Sequence, residues 1–159
     1  MVVYAGLMTI SVAWIGLIFA APWLMAERRF FASTIIYQGF SAVCHQIAER
    51  SFHFHGFPLG VCSRCIGGYA GFVMGLAIYP FLRDLGEEKF PARWILIASA
   101  IPVAIDFAGG FSGIFTNTFL SRALTGMLFG AVAAFYILPG LISTFSDLRA
   151  GFASSKASY

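Results

Sequence analysis

The sequence has few charged residues: Asp, Glu, Lys and Arg make up 11% of its 159 positions. In soluble globular proteins these four types account for about a quarter of all residues. Hydrophobic residues reach 59%, and the mean hydropathy is +0.83. These values exclude an ordinary soluble domain and predict an integral membrane protein.

The chain also lacks a hydrophilic segment long enough for a second domain, and it shows no convincing internal repeat, so we expect one domain over residues 1–159. Its basic residues flank apolar segments and do not form one dense run, and the net charge is only +3. Nucleic-acid binding is therefore not expected, and membrane lipid is the expected partner. The first 25 residues lack a basic n-region and predict a retained helix instead of a signal peptide.

Apolar segments of membrane-spanning length dominate the sequence. A helix needs about 20 mainly apolar residues to cross the hydrocarbon core. Four segments qualify, and residues 30–48 form a fifth candidate because they contain no Asp, Glu, Lys or Arg. The predicted fold is an all-α, polytopic transmembrane helical bundle with five spans, at about residues 2–25, 30–48, 66–82, 94–108 and 119–145. The alternative is four spans plus one interfacial helix.

The distribution of basic residues favours five spans, because cytoplasmic loops collect Lys and Arg. Five spans place Arg28, Arg29, Arg83, Lys89, Arg93, Arg149 and Lys156 on one side, and Arg50, Arg64 and Arg122 on the other. Four spans give an equal division. We therefore expect a multi-pass protein of the inner (cytoplasmic) membrane, with the amino terminus outside and the carboxyl terminus in the cytoplasm.

Glycines recur at four-residue intervals in two of the predicted spans. They are Gly67, Gly71 and Gly75 in the third span, and Gly126 and Gly130 in the fifth. Small residues at this spacing allow transmembrane helices to approach closely. We expect these two spans to pack tightly against neighbours.

The chain has three cysteines, all between the end of the second predicted span and the start of the third. Cys62 and Cys65 form a Cys-x-x-Cys motif at the start of the third span, where the helix N-terminus and a neighbouring arginine favour thiolates. Cys44 precedes His45 at the end of the second. Three cysteines and one histidine make the ligand set of a zinc site. The fourth ligand is left open among His45, His53 and His55, and His53 or His55 is the easier choice sterically. Adjacent residues of a helix diverge by about 100°, so if Cys44 is a ligand, we expect His45 to point into the site as a base or as a group that supports a ligand.

Two other interpretations use the same residues. In the first, the protein is a thiol–disulfide oxidoreductase that passes electrons from Cys62 and Cys65, through Cys44, to a membrane quinone. In the second, it is a non-enzymatic metal-binding or transport protein. An odd number of cysteines leaves one thiol over unless a metal holds it.

A second polar group involves Asp106, which lies within a predicted span. An ionisable residue there costs about 2.5 to 3.5 kcal/mol on insertion scales, and so usually has a partner. One interpretation is an ion pair with Arg122. The functional interpretation makes Asp106 a general base or metal ligand, while Arg122 and Asn117 orient an anionic group that Arg50 and Arg64 also bind.

Several of these residues form a recognisable pattern. Cys44-His45-Gln46, Glu49-Arg50-Ser51-Phe52, and Cys62-Ser63-Arg64-Cys65 with Gly67 and Tyr69 resemble a widespread prokaryotic family of small polytopic membrane proteins of unknown function. The family pattern is Cys-His-Gln, Arg-Ser and Cys-x-Arg-Cys-x-Gly, and the resemblance extends over about residues 35–130. It implies a prokaryotic multi-pass membrane protein but supplies no activity.

The leading hypothesis is a metal site on the outer face, with zinc as the expected metal. The site is structural or hydrolytic. In the hydrolytic case a zinc-bound water attacks an anionic amphiphilic substrate, Asp106 acts as base and the arginines hold the negative charge.

Overall fold

Five α-helices and one short β-hairpin build the chain in the computed structural model, which describes residues 1–87 and 89–157, with side chains up to Leu148. The helices are α1 (Val2–Ala26), α2 (Phe30–Ser41), α3 (Ser63–Leu82), α4 (Arg93–Phe111) and α5 (Phe119–Ala157). A 3-10 turn at Ala48–Arg50 precedes strands β1 (His53–Phe54) and β2 (Phe57–Pro58), which pair antiparallel. The predicted all-α polytopic bundle is confirmed.

Among the described residues, four helices are long and apolar enough to cross a membrane: α1, α3, α4 and the part Phe119–Leu148 of α5. Their outer faces expose large apolar side chains, including Ile10, Ile78, Ile97 and Leu124. Lipid is the solvent that such faces require. The predicted ranges of four of the five spans lie inside these helices.

The remaining predicted span, residues 30–48, is shorter than expected. The helix α2 has 12 residues and ends at Ser41, so it is about 18 Å long and cannot cross a core of about 30 Å. Beyond it Gln46 adopts a positive φ of 48°, and its side-chain amide donates to the carbonyls of Tyr37 and Gly60, each at 2.7 Å. The expectation of five spans is thus corrected, because the described chain has four helices of spanning length and one shorter helix.

The contacts between helices define their directions. The Ser33 hydroxyl of α2 donates to the carbonyl of Ala21 in α1 at 2.8 Å, so α2 folds back along α1. The Tyr4 hydroxyl near the start of α1 donates to Leu76 near the end of α3 at 3.2 Å, so α1 and α3 are antiparallel. The Tyr136 hydroxyl of α5 donates to the carbonyl of Ala92, just before α4, at 2.8 Å. The start of α1 therefore lies at the end of the bundle where α3 terminates.

The helices α3 and α5 run parallel and touch along their backbones. A Cβ atom added to Gly67, Gly71 or Gly75 would collide with the carbonyl oxygen of Ala123, Met127 or Ala131, respectively. Added at Gly126 or Gly130, it would collide with the carbonyl oxygen of Arg64 or Gly68. The predicted close packing at these glycines is confirmed.

Substitution of Gly71 by alanine should destabilise the bundle. The new methyl group forces backbones apart, and overpacking of this kind costs about 1 to 3 kcal/mol. The free energy of unfolding in mixed micelles measures the effect. The matched control is Gly16→Ala, where nothing lies within 4 Å of the added Cβ, and its unfolding free energy should stay within about 0.5 kcal/mol of the wild type. Equal losses in both variants would contradict the packing argument.

Candidate functional site

The three cysteines meet where α3 begins. Cys62 is the N-cap residue of α3 in an extended conformation, and Cys65 lies in its first turn. Cys44 follows α2 and is 7% exposed. The backbone N–H of Cys62 donates to the Sγ atom of Cys44 at 3.2 Å, which fixes the loop from α2 against the start of α3.

The sulfur atoms of Cys44, Cys62 and Cys65 all lie within 4.8 Å of one another. In a tetrahedral zinc site the Zn–S distance is about 2.3 Å, so the sulfurs are about 3.8 Å apart. The cluster is therefore close to the spacing that one zinc ion requires.

The pKa of the Cys62 thiol is lowered to about 5, chiefly by a hydrogen bond from the Cys65 thiol. Burial opposes the shift, while the backbone N–H groups of Cys65 and Arg64 and the Cys44 thiol lower the pKa further. The thiolate form of Cys62 is therefore favoured, and this form is required both for metal ligation and for nucleophilic attack on a disulfide.

The loop that carries Cys44 is held by polar contacts that the sequence alone did not indicate. The amide of Gln46 bonds to two carbonyls across the loop, as described above, and the Tyr37 hydroxyl donates to the Pro58 carbonyl. The N–H of Gly60 donates to the carbonyl of Ile18 in α1 at 3.3 Å. The signal available in the sequence was the position of Gln46 directly after Cys44 and His45.

A cavity of about 520 Å³ lies beside the cysteine cluster. Its polar lining contains Cys44, His45, Arg50, Cys62, Arg64, Cys65, Asn117 and Arg122, and its apolar lining contains Val43, Ile47, Phe107 and Phe111. Eight residues singled out in the sequence are thus brought together, although they come from two loops and two helices.

Two of the predicted metal ligands lie elsewhere. His53 and His55 are exposed residues of the β-hairpin, and neither belongs to the cysteine group. The ring of His55 contacts Phe54, which in turn packs against Phe19 of α1. His45 is exposed but lines the cavity, so it is the histidine that the fold leaves nearest to the role of fourth ligand.

Asp106 pairs with Arg64, and the predicted pair with Arg122 is wrong. The guanidinium of Arg64 donates to Oδ2 of Asp106, and Ser121 donates to Oδ1 at 2.9 Å. Asp106 is 5% exposed, and Ser121, not its neighbour Arg122, is the residue of α5 that contacts its carboxylate. The Asn117 amide donates to the backbone carbonyl of Asp106.

The start of α5 is capped by a reciprocal pair. The N–H of Ser121 donates to the Thr118 hydroxyl at 3.0 Å, and the N–H of Thr118 donates to the Ser121 hydroxyl at 3.2 Å. This is the geometry of a capping box, which satisfies two free donors of the helix end. The spacing Thr118-x-x-Ser121 was the sequence signal for this cap. Because Ser121 also bonds Asp106, the cap is connected to the ion pair.

A second cavity, of about 450 Å³, lies between α1, α3 and α5. It is lined almost entirely by apolar side chains, including Trp14, Tyr69, Phe72 and Phe129. Cys65 lines this groove as well as the polar cavity. One sulfur of the cluster therefore faces an apolar groove within the membrane-spanning part of the bundle.

Comparison with known proteins identifies the family. Residues 44–136 match the family described as predicted membrane protein (DUF2085), and the chain belongs to this family. Uncharacterized protein MJ1492 of Methanocaldococcus jannaschii is 39% identical over 109 residues, which cover 69% of this chain and 70% of that protein. An uncharacterized protein of Methanothermobacter thermautotrophicus is 34% identical over 90 residues, covering 55% and 78% of the two chains. No solved structure matches.

Substitution of Asp106 by asparagine should destabilise the protein, because it leaves the Arg64 charge without its partner. Loss of one partner of a buried pair costs about 3 to 5 kcal/mol. Since a quarter of the Arg64 side chain is exposed, we expect about 2 kcal/mol in the free energy of unfolding. Arg122→Gln is the matched control, expected to stay within about 0.5 kcal/mol. A larger loss for Arg122→Gln than for Asp106→Asn would restore the pairing predicted from the sequence.

Proposed function

We propose that Cys44, Cys62 and Cys65 bind one zinc ion at the end of the transmembrane bundle. The observation that carries this proposal is the mutual approach of the three sulfurs within 4.8 Å. The lowered pKa of Cys62 favours the thiolate form that zinc binds, and bound zinc deprotonates coordinating thiols outright.

The number of protein ligands favours a hydrolytic site over a structural one. Structural zinc sites have four protein ligands, whereas catalytic sites have three and leave one position for water or substrate. In the described residues no histidine or carboxylate joins the three sulfurs as a fourth close group. The remaining position would face the polar cavity, where a zinc-bound water is a nucleophile at neutral pH. A turn of His45 toward the cluster would close the site and make it structural.

The lining of the cavity supports an anionic amphiphile as substrate. Arginine side chains occupy one part of the wall, and apolar side chains such as Phe107 and Phe111 occupy another. Asp106 is not part of this lining, and both of its carboxylate oxygens are bonded to Arg64 and Ser121. We therefore assign Asp106 the positioning of Arg64, and leave His45 as the candidate base within the cavity.

A second candidate function is that of a thiol–disulfide oxidoreductase, in which a membrane quinone oxidises the dithiol. It is favoured by the low pKa of Cys62 within a Cys-x-x-Cys motif, and by the apolar groove beside Cys65, whose aromatic lining would suit a quinone ring. In that reaction the Cys62 and Cys65 thiols form a disulfide, and their two electrons and two protons convert the quinone to a quinol.

We propose that the site faces the outside and that both ends of the chain face the cytoplasm. With four spans, the site end carries Arg28, Arg29, Arg50, Arg64 and Arg122, and the other end carries Arg83, Lys89, Arg93, Arg149 and Lys156. The side chains of Arg149 and Lys156 lie outside the described residues. Arg50, Arg64 and Arg122 of the site end belong to the cavity and are set aside. Two basic residues then remain at the site end, against five at the other end. Because Lys and Arg accumulate on the cytoplasmic side, the end with five basic residues is assigned to the cytoplasm.

Purified protein in mild detergent should contain one zinc ion per chain. Elemental mass spectrometry measures the metal, and thiol titration before and after chelation should reveal three thiols only after zinc is removed. Cys44→Ser, Cys62→Ser and Cys65→Ser should each lose zinc. His53→Ala is the matched control and should retain it, because His53 lies outside the cluster.

The same measurements separate the alternatives. Loss of zinc in His45→Ala identifies His45 as the fourth ligand and makes the site structural. Retention of zinc in that variant supports an open, hydrolytic site. A metal-free protein with a Cys62–Cys65 disulfide and one free thiol would refute the zinc proposal and support the oxidoreductase.

The orientation is tested by fusing reporters to each end of the chain in a bacterial host. Green fluorescent protein should fluoresce at either terminus, and alkaline phosphatase should be inactive at both, because phosphatase folds only outside the cytoplasm. Phosphatase activity at the amino terminus alone would support the five-span arrangement instead.

A further inference from the structure

We propose that the polar cavity is a phosphate-binding site formed by Arg50 and Arg122, and that its ligand is a phosphate group carried by a membrane lipid. The inference deepens the proposed function, since it names the ligand class that would meet the metal centre. It rests on the proposed zinc site only for the net charge of the cavity.

Two of the arginines that line the cavity have no acidic partner among the described residues. Three arginines line the cavity, but only Arg64 has an acidic partner, Asp106. Among the residues that the structure describes, Arg50 and Arg122 form no ion pair, and no Asp or Glu lines the cavity. Two guanidinium groups are therefore available for an exogenous anion.

The net charge of the whole site also favours an anion. Three arginines contribute three positive charges, and Asp106 removes one. One zinc ion with three thiolates carries a net charge of −1 and removes another. One positive charge then remains uncompensated within a partly enclosed space, which favours the binding of an anion. Without zinc, the excess of arginine over Asp106 persists.

The cavity lies beside the start of a membrane-spanning helix. The 20 residues of α3 extend about 30 Å, the thickness of the hydrocarbon core. Cys62 at the start of α3, and the cavity beside it, therefore lie at the depth of the lipid headgroups. Arginine binds phosphate oxygens in a bidentate manner, which makes it the side chain of choice for such groups.

One side of the same cavity is apolar. Val43, Ile47, Phe107 and Phe111 are lining residues and are 50%, 38%, 57% and 86% exposed, respectively. In a membrane these side chains face acyl chains. A ligand that places its phosphate between Arg50 and Arg122 can thus keep its tails in the bilayer.

Zinc-loaded full-length protein in neutral detergent micelles tests the proposal. The probe is dioleoyl phosphatidic acid, and the control lipid is dioleoylglycerol, which has the same tails without the phosphate. Native mass spectrometry should show saturable binding of about one phosphatidic acid per chain and none of the control lipid. Arg50→Gln and Arg122→Gln should each raise the Kd about tenfold or more, a change expected when one charged contact is lost.

Arg83→Gln is the matched control, because Arg83 lies at the opposite end of the bundle and contacts Glu87. Its Kd should stay within about twofold of the wild type, and equal weakening in all three variants would overturn the proposal as unspecific electrostatic binding. No saturable binding would overturn it as well. Arg122→Lys should recover part of the affinity if charge is the cause, and unchanged melting temperatures exclude misfolding.

Inorganic phosphate distinguishes the two sources of the ligand. Competition that requires far higher concentrations of inorganic phosphate than of phosphatidic acid supports a lipid-borne group. Equal affinity for inorganic phosphate would overturn the assignment to lipid while retaining the arginine site. Zinc content is measured on the same samples. Loss of phosphate binding with zinc intact refutes this inference alone, and absence of zinc with phosphate binding intact refutes only the metal proposal.

Discussion

The ion pair between Arg64 and Asp106 connects the three helices that surround the site. Arg64 belongs to the first turn of α3, Asp106 to α4, and Ser121, which donates to the same carboxylate, to α5. A charge within a membrane span is costly unless it is paired, so neither partner is readily separated from the other. The guanidinium of Arg64 also lies 5.7 Å from the centre of the Phe107 ring. This arrangement holds Cys65, the next residue along α3, in a fixed position at the end of the bundle.

The close packing of α3 on α5 also holds residues of the site in position. Lipid tails are as apolar as the helices, so association depends on fit between surfaces and on polar contacts. Gly67 and Gly126 allow the backbones to meet within one turn of Cys65, where a larger side chain would collide with Ala123 or Arg64. The first turns of both helices are thus held together, and Arg122 comes to the same cavity as the cysteines.

Much of this arrangement could be predicted from the sequence. The apolar runs predicted the four spanning helices, and the glycine spacing predicted close packing of two of them, because both properties are local to one helix. The grouping of Cys44, His45, Arg50 and Arg122 at one end was also predicted, although it was derived from five spans. Two spans, α3 and α4, separate the loop before α3 from the loop before α5. These loops therefore share one end whatever the number of spans before α3, so the error left the site intact.

Other features depend on how distant parts of the chain meet, which composition and spacing do not report. The helix α2 ends at Ser41, and beyond it the Gln46 amide bonds to the carbonyls of Tyr37 and Gly60. No hydropathy measure detects such a contact. The partner of Asp106 likewise depends on which side chains of α3 and α5 reach α4, and these are Arg64 and Ser121. His53 and His55 have suitable chemistry but lie in a hairpin that packs on α1, away from the cysteines.

The position of Cys44 bears on the choice between the two chemistries. A dithiol enzyme needs two cysteines, and Cys62 and Cys65 would suffice. Cys44 is nevertheless buried, it accepts the N–H of Cys62, and its sulfur is held within 4.8 Å of both others. A single disulfide joins only two of the three sulfurs and leaves one unpaired. A metal ion uses all three sulfurs at once, which is why we rank the zinc centre above the quinone-linked dithiol.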